Sequence, residues 1–215
     1  MTELVFILDC SGSMHGLEAD TIGGFNSMIQ KQKGGQGKVL VSTILFDSQS
    51  TVLHDRVSIE KVPDMTQRDY SAQGCTALLD AVGGAIHHVG TVHKYARPED
   101  VPEKTLFVIT TDGHENASRQ YDYAKVSRMI KRQKEKYGWE FIFLGANINA
   151  ETEANCFGID SDHAVNYHCD SAGTALNYEV IGEAIRSVRV CSSCAPLNRD
   201  WKRRIEEDFK QRSGR

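Results

Sequence analysis

The chain has 215 residues, 40% of them hydrophobic and 25% charged, a globular composition long enough for one large core. A formal net charge of −4 and a pI of about 6.1 give no general reason for binding nucleic acid or a membrane surface, and no apolar run approaches the ~20 residues of a membrane helix. Glu3 stands where a signal peptide carries basic residues, so no targeting segment is read and a cytoplasmic location is expected; six irregularly spaced cysteines suit a reducing compartment rather than a disulfide framework.

The first element is the apolar run at residues 4–8, followed at once by Asp9-Cys10-Ser11-Gly12-Ser13. Singly, such residues serve as helix N-caps. Together, a carboxylate and two hydroxyls at alternate positions are all oxygen donors, the ligands hard cations take, and Gly12 lets the backbone turn closely enough to aim both serines inward. Residues 20–33 place Ile22, Phe25, Met28 and Ile29 on one helical face. Gly34-Gly35-Gln36-Gly37 ends that helix, and Gly37-Lys38 is no phosphate loop, because it follows a helix and lacks a Ser or Thr after the lysine.

Residues 38–46 and 51–59 are strand-like runs joined by Asp47-Ser48-Gln49-Ser50, which predicts an antiparallel hairpin. Residues 60–73 lack periodicity and read as a loop leading to Gly74-Cys75-Thr76, a hydroxyl placed just before a helix at 77–89. In that segment Leu78, Val82, Ile86 and Val89 recur at helical spacing, and His87, His88 and His93 are expected on its surface. Residues 104–113 form another apolar strand, ending in Asp112-Gly113.

Tyr123, Val126, Met129 and Ile130 mark a helix whose lysines and arginines form a solvated face rather than a nucleic-acid patch. A strand at 141–145, a short helix at 150–157, a short strand at 163–167 and a long amphipathic segment from Leu176 to Val188 follow. This alternation predicts an α/β fold, a doubly wound and mostly parallel central sheet with helices on both faces. Residues 191–215 form a charged tail in which Trp201, Ile205 and Phe209, at spacing four, are expected to pin a helix onto the body of residues 1–190.

Three separate strand-to-helix loops thus end in oxygen donors and glycine. In this the chain resembles the von Willebrand factor type A domains, whose metal-ion-dependent adhesion site has the pattern D-x-S-x-S, then a distant Thr, then a distant Asp. The pattern falls on Asp9, Ser11, Ser13, Thr76 and Asp112, and the resemblance covers about residues 3 to 190. It implies a Rossmann-like sheet with the hairpin at one antiparallel edge, and a Mg²⁺ or Mn²⁺ ion touched directly by Ser11, Ser13 and Thr76 and held partly through waters by Asp9 and Asp112. With few direct carboxylates such a cation keeps uncancelled charge, so an acidic residue of a protein partner completes its sphere.

The function expected is therefore a metal-dependent protein-interaction module and not an enzyme, with His15, Gln73, His114, Glu115 and Asn116 around the metal. The alternative is a Mg²⁺-dependent phosphatase or phosphoryl-transfer enzyme using Asp9 as nucleophile. Against it, Ser11 stands where an aspartyl phosphatase needs a second acid, and no G-x-S-x-G elbow is present. Cys10 and Cys75 flank proposed ligands and are read as packing residues, with an oxidative link between them as the sharper alternative. Cys191 and Cys194 supply too few ligands for a closed zinc site.

Overall fold

The computed structural model describes residues 1–190 and 197–213. Cys191 and Cys194 lie outside the described residues. In chain order the elements are β1 (Thr2–Asp9), α1 (Glu18–Gln32), β2 (Val39–Phe46), β3 (Ser50–Ser58), α2 (Leu78–Tyr95), β4 (Lys104–Thr111), α3 (Tyr123–Tyr137), β5 (Glu140–Gly145), α4 (Ala150–Phe157), β6 (Ala164–Asn166), α5 (Ser171–Val190) and α6 (Arg203–Ser213). The strands form one sheet in the order β3-β2-β1-β4-β5-β6, in which only β3 is antiparallel. The hairpin is thus the antiparallel edge that the sequence predicts.

Strand β1 shows why the sheet is doubly covered. Side chains alternate between faces, so Leu4, Phe6 and Leu8 join a core with Phe25, Met28 and Ile29 of α1 and Val180, Ile181 and Ile185 of α5. Val5 and Ile7 point the other way, onto Leu78, Val82 and Ile86 of α2 and Val126 and Ile130 of α3. Burial on both faces is what makes the run apolar without alternation. Each such Leu, Ile or Phe contributes about 1.5–3 kcal/mol relative to an exposed position. Phe6 meets Phe25 edge to face at 5.4 Å, which fixes α1 against the centre of the sheet.

At the foot of β1 the sequence misleads. Glu3 is wholly buried, and its carboxylate meets His93 Nε2 at 2.5 Å and Arg56 Nε at 3.1 Å. Arg56 reaches it because β3 slips register against β2 and Arg56 itself takes a left-handed φ of 52°, the re-aiming that a bulge provides. His93 is therefore no surface residue. It lies on α2 where that helix crosses the sheet, a tertiary relation that helical periodicity cannot supply.

The tail folds back on the sheet. Ile205 joins the core beside α5, Trp201 Nε1 donates to the Asp162 carbonyl at 3.1 Å, and Phe209 stacks on His168 at 4.7 Å. Lys202 is buried and donates from Nζ to the carbonyls of Ser161 (2.7 Å) and Ala164 (2.8 Å), with Glu206 at 3.0 Å to balance its charge.

Candidate metal centre

In an open α/β sheet the crevice forms where the strand order reverses, outside the carboxyl ends of the strands. Here that point lies between β1 and β4, and their ends carry Asp9 and Asp112. Asp9 closes β1, and each oxygen of its carboxylate accepts one hydrogen bond: Oδ1 from the Ser11 amide at 2.7 Å and Oδ2 from the Thr111 hydroxyl at 2.6 Å. The Ser11 and Ser13 hydroxyls lie 3.1 Å apart, and Ser13 donates to Asp112 Oδ1 at 2.5 Å.

Thr76 arrives on the long loop after β3, and the backbone fastens that loop in place. The Tyr70 hydroxyl donates to the Asp9 carbonyl, the Gln73 amide to the Cys10 carbonyl at 2.8 Å, and the Gly12 amide to the Gly74 carbonyl at 3.2 Å. Gly74 turns with a φ of +72°, where a side chain would also meet Ser48 Oγ at 2.8 Å. A Cβ placed on Gly113 would stand 3.6 Å from Thr76 Oγ1 and 3.8 Å from Ser13 Oγ, so both hydroxyls lie beside the same glycine. The fold therefore brings Asp9, Ser11, Ser13, Thr76 and Asp112 to one end of the sheet.

The electrostatics favour a cation. Asp9 is 1% exposed and Asp112 2%, and among the described residues no lysine, arginine or histidine pairs with either. Burial raises the Asp9 carboxyl above the usual aspartate range; hydrogen bonds from Ser11 and Thr111 pull it down, and the nearby Asp112 charge adds to the rise. Two buried anions without a partner are costly, and a bound ion of opposite sign removes that cost. The oxygen spacing suits a small one, since neighbouring ligands of an octahedral cation at about 2.1 Å lie about 3.0 Å apart. Among the described residues no three His, Cys, Asp or Glu side chains gather to hold a metal, so an ion here depends on hydroxyls.

The surrounding residues divide differently from expectation. His15 and His114 are exposed at the rim, and Gln73 contributes its backbone. Glu115 and Asn116 turn away into structural roles: Glu115 accepts from the amides of Leu79, Ala117 and Ser118, and Asn116 Oδ1 accepts from the Thr76 amide at 2.9 Å. Polar residues after a ligand loop can serve backbone as readily as solvent, and the sequence does not distinguish the two. Thr111 and Tyr70, which hold Asp9 from behind, were not singled out by the sequence, because each reads as an ordinary strand or loop residue.

Of the two thiols expected to fill space under the loops, only Cys10 does so. Cys10 is buried and donates to the Phe46 carbonyl at 3.2 Å, and burial with the charges of Asp47 and Asp9 pushes it up to about 12. Cys75 is exposed. Cys169 directs its sulfur to Asp112 Oδ2 at 3.6 Å and is likewise pushed up to about 12, by burial first and then by the Asp112 charge.

Comparisons with known proteins agree with this architecture. A family model described as the von Willebrand factor type A domain matches residues 3–177. No curated protein matches the chain. Among solved structures, the vWF domain of the type V pili tip protein Mfa5 from Porphyromonas gingivalis superposes with a TM-score of 0.64 at 9% identity, over 89% of this chain and 97% of that one. Proximal thread matrix protein 1 from the mussel byssus, in a form with a zinc-occupied MIDAS motif, gives 0.57 at 15% identity over 85% of this chain. The manganese-loaded TRAP protein of Plasmodium vivax gives 0.55 at 16%, over 82% of this chain and 72% of that one. The chain spans 45% of the mussel protein's length, and at these identities the likeness is one of fold.

Proposed function

Because the chain belongs to the von Willebrand factor type A family, we propose that it is a divalent-metal-dependent interaction module that recognises an acidic residue of a protein partner. The observation that carries this reading is the pair of buried carboxylates, Asp9 and Asp112, left without a cationic side chain beside converging hydroxyls. Mg²⁺ or Mn²⁺ is the proposed ion, with Ser11, Ser13 and Thr76 as its direct ligands and Asp9 and Asp112 holding it partly through water. When bound, the ion supplies a Lewis-acidic position for a carboxylate.

The chain's own residues explain why the site receives rather than reacts. Asp9 is 1% exposed and is held from behind by the Ser11 amide and the Thr111 hydroxyl, which does not present it to an incoming phosphoryl group as a nucleophile. Ser11 cannot protonate a leaving group well. Residues 1–190 carry the site in this proposal, and of the tail at 191–215 the described residues 197–213 pack against them. No helix among the described residues is long and apolar enough to cross a membrane; the cysteine content supports a cytoplasmic setting as part of this proposal.

The test is affinity capture from the native cell with the full chain in Mg²⁺ and in chelator, alongside Thr76→Ala. Partners should be retained only with metal and lost in the variant. The same partners in chelator would refute the mechanism, and so would p-nitrophenyl phosphate turnover that Asp9→Asn abolishes.

A further inference from the structure

On the α2/α3 face, a groove of about 930 Å³ runs between the two helices toward the amino ends of β4 and β5, away from the metal centre. That volume lies in the range of small-molecule sites. Its walls are aromatic and soft: Tyr121, Met129 and Trp139 line it. Trp139 is fixed, stacked on Phe107 at 5.3 Å and met edge-on by His93, whose ring the buried Glu3 carboxylate holds in turn.

Two features single the groove out as a site. The first is charge: in a chain of net charge −4, its lining holds Lys94, Lys125 and Arg132 and, among the described residues, no aspartate or glutamate. Lys125 lies 4.0 Å above the Tyr121 ring, whereas Arg132 is exposed with no carboxylate in ion-pairing distance. The second is the wall itself: Trp139 is held from behind by Phe107 and His93, and the half-buried Met129 beside it is unbranched and adaptable.

We infer that this groove binds a small molecule with a flat aromatic ring system and one anionic group, a class that includes aryl carboxylates, sulfonates and phosphates. The rings lie against Trp139 and Met129, and the anion meets Arg132 and Lys94 at the rim. A guanidinium suits such oxyanions because its planar fork matches their geometry. Gly90 keeps the floor open. A Cβ there would stand 3.5 Å from Gln133 Nε2 and 3.9 Å from Trp139, ordinary contact, so a longer side chain would fold normally and project into the groove.

The test uses the full chain and two fluorescent probes sharing an anilino-naphthalene body and its N–H: 8-anilinonaphthalene-1-sulfonate, which is anionic, and N-phenyl-1-naphthylamine, which is neutral. The sulfonate should saturate at one per chain and bind more tightly than the neutral probe. Arg132→Gln with Lys94→Gln should weaken the sulfonate at least about fivefold and leave the neutral probe unchanged. Gly90→Leu should abolish both with the melting temperature retained, and chelator should change neither. Equal affinity for the two probes, no saturable binding, or binding that survives Gly90→Leu would overturn the inference.

Discussion

Replacing Asp112 with asparagine separates a metal ligand from a structural residue. The amide keeps an oxygen to accept from the Ser13 hydroxyl, now 2.5 Å from Asp112 Oδ1, and keeps the volume of a side chain that is 2% exposed. The charge is lost, and with it the acceptor that meets the Cys169 sulfur at 3.6 Å, a weak contact. In chelator this removes one of two buried anions and relieves Asp9, whose carboxyl is raised mainly by burial and further by the Asp112 charge. The variant should therefore melt no lower than the wild type. With Mg²⁺ at about 100 times its Kd, mass action stabilises the wild type by about 2.7 kcal/mol. For a chain of this length each kcal/mol moves the midpoint by about 2–4 °C, a rise of about 5–10 °C, and the variant should lose most of it. Differential scanning fluorimetry in Mg²⁺ and in chelator reads all four values, and the order of the two proteins should reverse between conditions. A wild type that melts identically in both, or a variant that keeps the full shift, would refute the reasoning.

Glu3→Ala should cost about 3–5 kcal/mol in urea denaturation, because it strips the buried partner from Arg56 and His93; a loss below about 1 kcal/mol would contradict the buried cluster. Gly83→Ala should destabilise by about 1–3 kcal/mol, since its Cβ would fall 2.3 Å from the Tyr121 ring. Its neighbour Gly84, with nothing within 4 Å, should gain up to about 1 kcal/mol on the same change. Equal effects at the two positions would mean that α2 and the Tyr121 segment do not pack as described. Burial lowers His54 and His163 below the ordinary histidine value, so the unfolded chain binds their protons first. Their contribution is complete above about pH 6.5 and is lost as pH falls below it, with a slope of at most about 1.4 kcal/mol per pH unit for each. Urea midpoints at about pH 7.5 and 5.5 check the sign, and NMR titration of the two rings assigns it.

The parts of the molecule legible in the sequence are those governed by period and by chain order. The apolar runs at β1, β4 and β5 lack alternation because both faces are buried, which is the pattern of a parallel sheet. Asp9, Ser11, Ser13 and Asp112 were legible because they follow such a run directly, so a strand end and an oxygen donor are adjacent in sequence as well as in space, whereas Thr76 was legible from its place before a helix and from the family pattern. Partners brought from distant elements were not. His93 looked like a surface residue because helical periodicity reports a face but not the Glu3 carboxylate beneath it. Glu115 and Asn116 looked like rim residues because nothing in their own neighbourhood shows that the amides of Leu79 and Thr76 lie within reach. Tyr70, a lone aromatic in an aperiodic loop, gave no sign that its hydroxyl fastens to the Asp9 carbonyl.

The packing of α6 also bears on how the chain behaves in concentrated solution. A sheet that is not closed has two edges, and an uncovered edge recruits strands from other molecules. Here β3 ends one side with a bulge, register shifts and several exposed polar positions, features that oppose further pairing. The other side ends in β6, three residues long, where Lys202 occupies the Ala164 carbonyl and α6 packs alongside. Removing the chain beyond residue 197 would strip that cover and leave the β6 edge open. Such a truncated protein should self-associate edge to edge at high concentration while its metal centre, on the far side of β5, remains assembled.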